Sequence, residues 1–476
     1  STPIKSSAAS DVYKRQDQNG GNFMSDFYPD QLGALADGVH DDQPAIQRAI
    51  DLCAESGGGR VILTAGKRYY SASLQLRTNV ELHLERGCVL QATSVLEHYI
   101  RPSELLNTPE NMKNGNPMTG KPAFAFIYAK DADNCAITGD GTIDGNGYAF
   151  VSRASEYYVT GDFYPRPTAI YVEHSDHITF RDFTVRNVPF WTLHPAGCND
   201  VLIEHIRILN DLDVANSDGI DPDHCTNVRI LGCHIEAADD CIVLKNTEGN
   251  REYGPCRNIV VSGCTLKSTS GAFKIGTEGI DNFENIVVSD CIITGTNRGI
   301  TMQIRDNGNV RNALFQNIII ETRRFCPDFW GSAESIAITS FDRDENTCSG
   351  TISNLRFSNI VCHGENGALI YGGDASKIQN ITFENCDICL EKTSKWPCGI
   401  YDLRPGLNDG LIEEKNACVY VRNAGTVTLR YCRLHWAVGA PDCYSYAVDA
   451  KNADLVMEAC QAEAADKSLD ACRIVR

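Results

Sequence analysis

The sequence predicts an all-β fold, a single right-handed parallel β-helix closed at its N-terminal end by one helix. Three observations carry the prediction. A short β-prone strand opened by Asn, Asp or His recurs along most of the chain. Polar turns divide each repeat into two or three alternating apolar and polar segments. One amphipathic helix, ended by glycines, precedes the first strands.

The recurring strand reads Asn134-Cys135-Ala136-Ile137, His177-Ile178-Thr179-Phe180, Asp200-Val201-Leu202-Ile203 and Asn227-Val228-Arg229-Ile230. It continues at Asn258, Asn285, Asn312, Asn354 and Asn380, with a weaker echo at Thr426-Val427-Thr428-Leu429. Most steps are roughly 23–31 residues, a period that signals a solenoid. No single coil can bury its apolar face, so each must stack on the next about 4.8 Å away. Equivalent Asn side chains then lie above one another and can form a hydrogen-bonded ladder. Leucine-rich repeats share this period, but they need helical segments and a Leu-dense signature, and neither occurs here.

Pro44 opens a helix over about residues 43–56, with Ile46 and Ile50 on one face. Gly57-Gly58-Gly59 ends it, and Arg60-Val61-Ile62-Leu63 begins the strands. An open solenoid exposes its first coil, and this helix is the natural cap. Residues of about 98–123 and 148–168 break the rhythm and read as long loops. Residues 1–16 read as a non-native or disordered leader, leaving 17–476 as one β-helix domain. Residues of about 410–476 are further coils or a C-terminal cap.

A formal charge of −19 argues against nucleic acid and anionic membranes as partners. No apolar run approaches the roughly 18–20 residues needed to span a bilayer. The 21 cysteines leave at least one unpaired within the chain. Most sit inside apolar runs, as small core residues do. Cys386 and Cys389 form a C-x-x-C with no second pair nearby, so no metal site is expected. So many cysteines suit a reducing or anaerobic setting, and the compartment stays open between bacterial cytoplasm and secretion. The sequence does not address oligomeric state.

Chemistry concentrates in two acidic motifs about one coil apart, Asn216-Ser217-Asp218-Gly219-Ile220-Asp221 and Ala238-Asp239-Asp240-Cys241. Stacking would bring Asp218, Asp239 and Asp240 to one face, where repulsion raises the pKa of at least one. One protonated carboxyl and one carboxylate beside a water are what glycoside hydrolysis needs. A calcium site or a solvated acidic patch is the competing reading. Adjacent residues on a regular strand point to opposite faces, so Asp239 and Asp240 cooperate only if the chain turns there.

These motifs, with their order and spacing, resemble glycoside hydrolase family 28, the polygalacturonase family of pectate-lyase-like solenoids. The likeness adds Gly33-Ala34 with Asp37-Gly38-Val39 and Asp41-Asp42, and the run Gly139 to Gly147 as a G-x-G-x-I-D-G-x-G segment. It also includes Trp191-Thr192-Leu193-His194-Pro195, and covers roughly residues 30–390. The resemblance implies an inverting hydrolase of α-linked pectin-type glycans without a cofactor or metal. Asp239 would be the general acid, and Asp218 and Asp240 would hold and deprotonate the water. Asn216 and Lys245 would orient the carboxylates or the sugar, and His194 belongs with the substrate-binding residues unless it is a structural histidine.

The family's G-H-G motif falls at Ser270-Gly271-Ala272, without the histidine. Its R-I-K motif falls at Thr301-Met302-Gln303, without either cation. Arg305 and Lys274 are the candidates to supply charge from shifted positions, because a cation pairs well with a uronate carboxylate. Galacturonate- or rhamnogalacturonan-derived oligosaccharides are the expected substrates. Trp191, Trp330, Phe329 and Tyr371 could stack on sugars, though core packing is the plainer reading. Glu278 and Glu334 lie in motif-like stretches and receive no role. A polysaccharide lyase and a non-catalytic glycan-binding β-helix are the alternatives.

Overall fold

The computed structural model describes residues 25–102, 120–153, 156, 159–160, 166–327, 329–406 and 410–475. The expected leader 1–16 lies outside these residues, as do parts of both rhythm-breaking stretches.

Each coil carries up to three strands, one in each of three long parallel sheets. One coil runs Thr168–Glu173, Asp176–Arg181 and Thr184–Arg186, and the next runs Leu193–Ala196, Asn199–Glu204 and Arg207–Leu209. Pairing is in register: Ile170 with Leu193, Ile178 with Val201, and Val185 with Ile208. Parallel strands wound through repeated crossovers take the right-handed course that strand twist favours. The stacked inward side chains form one continuous core along the axis. Phe315, Phe357 and Phe383 stack at 4.9 and 4.8 Å with nearly parallel rings, which is the rung spacing itself.

The Asn at the start of each second-sheet strand has a backbone reason. Asn134, His177, Asp200, Asn227, Asn258, Asn285, Asn312, Asn354 and Asn380 all have φ between 55° and 59°. That left-handed conformation is one Asn visits with little penalty. The amides then form the expected ladder, with Asn258 donating to Asn227 at 3.0 Å and Asn285 to Asn258 at 3.1 Å. The ladder continues through Asn312, Asn354 and Asn380. A second ladder, unread in the sequence, runs from Asp290 through Asn317 and Asn359 to Asn385 at another corner.

The helix spans Gln43–Glu55 and buries Ile46, Ala49, Ile50 and Cys53 over the first coil. Each buried Ile contributes about 1.5–3 kcal/mol. Asp42, at its N-cap, accepts bonds from the backbone of Leu35 and Ala36 instead of from the helix. At the other end the chain continues as coils, through Val419–Arg430, Val448–Glu458 and Cys472–Val475. Most cysteines are buried and free, and a Cys398–Cys443 disulfide that the sequence did not signal joins two loops. No helix among the described residues is long and apolar enough to cross a membrane.

Candidate active site

The two acidic motifs occupy the corner where the chain leaves the third sheet for the first. His234–Ala237 ends the third-sheet strand, Ala238–Cys241 bends, and Ile242–Asn246 starts the first-sheet strand. One coil earlier, Gly219 and Ile220 donate to the carbonyls of Asp240 and Cys241 at 2.9 Å. That register stacks Asp218 beside Asp239. It needs a glycine at 219, where a Cβ would fall 2.3 Å from the Cys241 carbonyl. Because the chain bends at 238–241, Asp239 and Asp240 reach the same hollow, and carboxylate oxygens of all three aspartates lie within 4.8 Å of one another. The hollow, about 900 Å³ including its mouth, is also lined by Trp191, Asn216, Lys274 and Trp330.

Each carboxylate has a distinct environment. Asn216 donates to Asp239 at 3.3 Å, and its own amide oxygen is fixed by Arg166 at 2.8 Å. Lys274 donates to Asp240 at 2.7 Å, and Ser270 reaches the other oxygen at 3.3 Å. Gly271 leaves room for this, since a Cβ there would lie 2.7 Å from Asp240 Oδ1. Asp218 has no close donor, and one of its oxygens is buried without a partner. The nearest cation is Lys245, 3.9 Å away. Lys245 pairs instead with Glu278 at 3.2 Å and lies under the Trp191 ring at 4.4 Å.

Burial and the Asp240 charge push Asp239 up to about 6, while Asp239 keeps an opening to the cleft. Burial and the Asp239 charge likewise hold Asp218 well above the usual carboxylate range. Crowded carboxylates titrate as a group, so the cluster retains a proton that isolated aspartates would lose. Asp221, fully buried behind them with neither oxygen bonded, is also pushed well above the usual range, by burial first. Burial opposes the Lys245 charge, but Glu278, Asp218 and Asp221 outweigh it and hold the ammonium above its ordinary range. Glu278 falls to about 2, because Lys245, Arg343 and Lys274 overcome its burial.

Two expected substrate-binding residues, Arg305 and His194, lie buried away from the open cleft. Arg305 is fully buried, and its donors go to Ile304, Thr339, Leu403 and Pro405. A guanidinium has five N–H groups, and these contacts engage them within the protein. His194 is also fully buried, wedged between Tyr171 and Trp191 with Asp223 at 3.3 Å, and it is absent from the cleft wall. Trp330 lines the cleft and is 47% exposed. Trp191 lines it nearly buried, Phe329 packs against Ala238 and Cys326, and Tyr371 faces a separate hollow.

Arg298, Thr301, Gln303 and Arg343 line the cleft and were missed as site residues. Thr301 and Gln303 stand where the cationic motif was expected, and their alternation on Arg298–Ile304 was the available signal. Arg298 and Arg343 gave none, because their places on the cleft wall are set by partners distant in sequence, Glu334 and Asp402 for Arg298, Asp306 and the Thr277 carbonyl for Arg343. Among the described residues, the three aspartates are the group of His, Cys, Asp and Glu side chains able to surround a metal. Cys386 and Cys389 are not part of such a group.

A parallel β-helix whose cleft gathers three carboxylates has the groups that a glycoside hydrolase needs. The chain belongs to glycosyl hydrolases family 28, whose pattern matches residues 109–400. It is similar to a probable polygalacturonase of Vitis vinifera, 27% identical over 77% of this chain and 75% of that protein. An endo-polygalacturonase of Pectobacterium carotovorum subsp. carotovorum is 24% identical over 73% and 84%. In structure the chain is similar to the hyperthermoactive exopolygalacturonase of Thermotoga maritima (TM-score 0.63, 21% identity, 77% of this chain and 88% of that one). It is also similar to the family 28 exopolygalacturonase of Yersinia enterocolitica (TM-score 0.65, 16% identity, 95% and 77%). Those structural likenesses speak to the shared β-helix.

Proposed function

We propose that this hydrolase cleaves α-linked pectic glycans, galacturonate- or rhamnogalacturonan-derived, with inversion at the anomeric carbon. The observation that carries the reading is the three-carboxylate cluster, in which one acid is raised to about 6. Asp239, opening to the cleft and held by Asn216, protonates the leaving oxygen. Asp240, balanced by Lys274, and Asp218 together hold the water and take its proton.

Two opposed carboxyls in an inverting enzyme usually stand about 6.5–9.5 Å apart, leaving room for the water between them. Here the nearest oxygens crowd within 4.8 Å. Taken as a pair, such carboxyls would suit double displacement. The third carboxylate changes the geometry: a water held by Asp218 and Asp240 together can be aimed at the anomeric carbon from the face opposite the leaving oxygen that Asp239 protonates, as inversion requires. Pectic character is supported by the named relatives and by Lys274, whose ammonium makes one protein contact and has further donors for a sugar carboxylate. Proton NMR of the first sugar released from a panel of pectic oligosaccharides tests the reading. Initial appearance of the inverted anomer is expected, and initial release of the retained anomer would sink it.

A further inference from the structure

The floor of the cleft is the first sheet, and stacking should extend that floor toward the C-terminal end. At one register position Gly276, Gln303, Thr339 and Tyr371 follow each other on successive rungs. Gln303 lines the cleft, Thr339 is buried, and Tyr371 reappears in a second hollow with Phe341 and Lys377. Something therefore crosses the floor at the rung of Thr339.

The crossing segment is Asp402–Gly406, at the end of the strand Ile400–Asp402, which pairs antiparallel with Leu411–Glu413. Pro405 faces the cleft, while Leu403 and Gly406 face the second hollow. The segment is fastened from below through its own carbonyls. Arg298 donates to the Asp402 carbonyl at 2.5 Å, and Gln303 to Arg404 at 2.9 Å. Arg305 donates to Leu403 at 2.8 Å and to Pro405 at 2.5 Å. The Asp402 side chain takes the Gly331 amide at 2.7 Å, and its own amide donates to Glu334 at 2.9 Å. Every carbonyl from Asp402 to Pro405 is thus held by a side chain of the strand Arg298–Ile304 or the residue after it.

The geometry points to end-action: Asp402–Gly406 is a fixed wall that stops the glycan just past the scissile bond, so the enzyme removes one or two sugars from a chain end. The inference rests on the hydrolase reading of the same cleft. Between the strand carrying Lys245, which follows the aspartates, and the rung of Thr339 lie the strands of Lys274 and Gln303. That is roughly 10–15 Å of floor at the usual rung spacing. Arg298, Gln303 and Arg305, from the stretch where a cationic grip was expected, hold the wall instead.

The test is a length series of end-labelled galacturonate and rhamnogalacturonan oligosaccharides, with products read at low conversion. Mono- or disaccharide release from one end, at every length, is expected. In Arg305→Met the wall loses two anchors, and the fraction of longer products should rise about tenfold, the worth of a lost charge-assisted bond. Gln303→Ala removes a single neutral anchor and serves if the arginine variant does not fold. Internal cleavage by the unaltered enzyme overturns the wall while leaving the hydrolase reading intact. Unchanged product lengths in the folded variants overturn its anchoring, and turnover of no substrate overturns both readings.

Discussion

The acidic corner and the cationic strand two rungs further on are built in opposite ways. At the corner, charged groups are kept under-partnered: Asp218 has an oxygen with no donor, Asp239 has one weak amide, and Lys274 has donors to spare. On Arg298–Ile304 and at Arg305 the donors are consumed by the protein itself. Incomplete pairing in a buried place is costly unless a ligand completes it, whereas complete pairing makes scaffold. Polar groups are thus left available to a ligand in one place and are consumed by the fold in the other.

The contrast breaks most sharply with Asp239→Asn. Loss of a general acid should lower kcat about 10²–10⁴-fold with little change in KM. Steady-state kinetics on the best pectic oligosaccharide measures this, and a fall under threefold would remove Asp239 from the chemistry. Lys274 and Arg305 sharpen it, because the sequence treated them alike. Lys274→Met should cost about 10–100-fold in kcat/KM, as expected of a hydrogen bond to a charged group, with the melting temperature nearly kept. Arg305→Met should do the reverse, lowering the melting temperature while kcat/KM per folded molecule falls less than for Lys274→Met. Each buried carbonyl left without a donor costs about 1–3 kcal/mol. Identical profiles for the two variants would erase the distinction.

Protonation separates the two kinds of site more gently. As the proposed general acid, Asp239 would need its proton, so kcat/KM should fall as pH rises through about 6. A rate profile flat from pH 5 to 8, in a buffer series at about constant ionic strength, would contradict it. Glu278 shows the opposite sign. Its pKa in the folded protein is depressed to about 2, so it adds stability above its ordinary range near 4.5. That contribution fades as pH falls from about 4.5 toward 2. Urea midpoints should therefore drop less on acidification in Glu278→Gln than in the parent, and parallel curves would refute the pairing with Lys245.

Repetition made the fold legible. Asn227, Asn258 and Asn285 recur because each coil needs the same left-handed corner, so the pattern encodes geometry directly. The aspartates were legible for the same reason, since the solenoid period alone carries Asp218 onto the rung beside Asp239. The bend at Ala238–Cys241, which lets two adjacent acids share a hollow, was required by that reading without being visible in it. The second amide ladder from Asp290 to Asn385 repeats the steps of the first, five residues further on, and was legible from the same spacing.

What the sequence determined by itself was whatever stacking repeats: the strand period, the capping helix, the ladder, and the coil-to-coil meeting of the acids. Tertiary structure alone decided which cations face solvent, because Arg305 and Arg298 are satisfied by a segment about a hundred residues away that no local pattern announces. Periodic backbone pairing is a near-neighbour property and can be read from spacing. Satisfaction of a buried guanidinium depends on whichever distant carbonyls the folded chain delivers, and only the packed molecule supplies them.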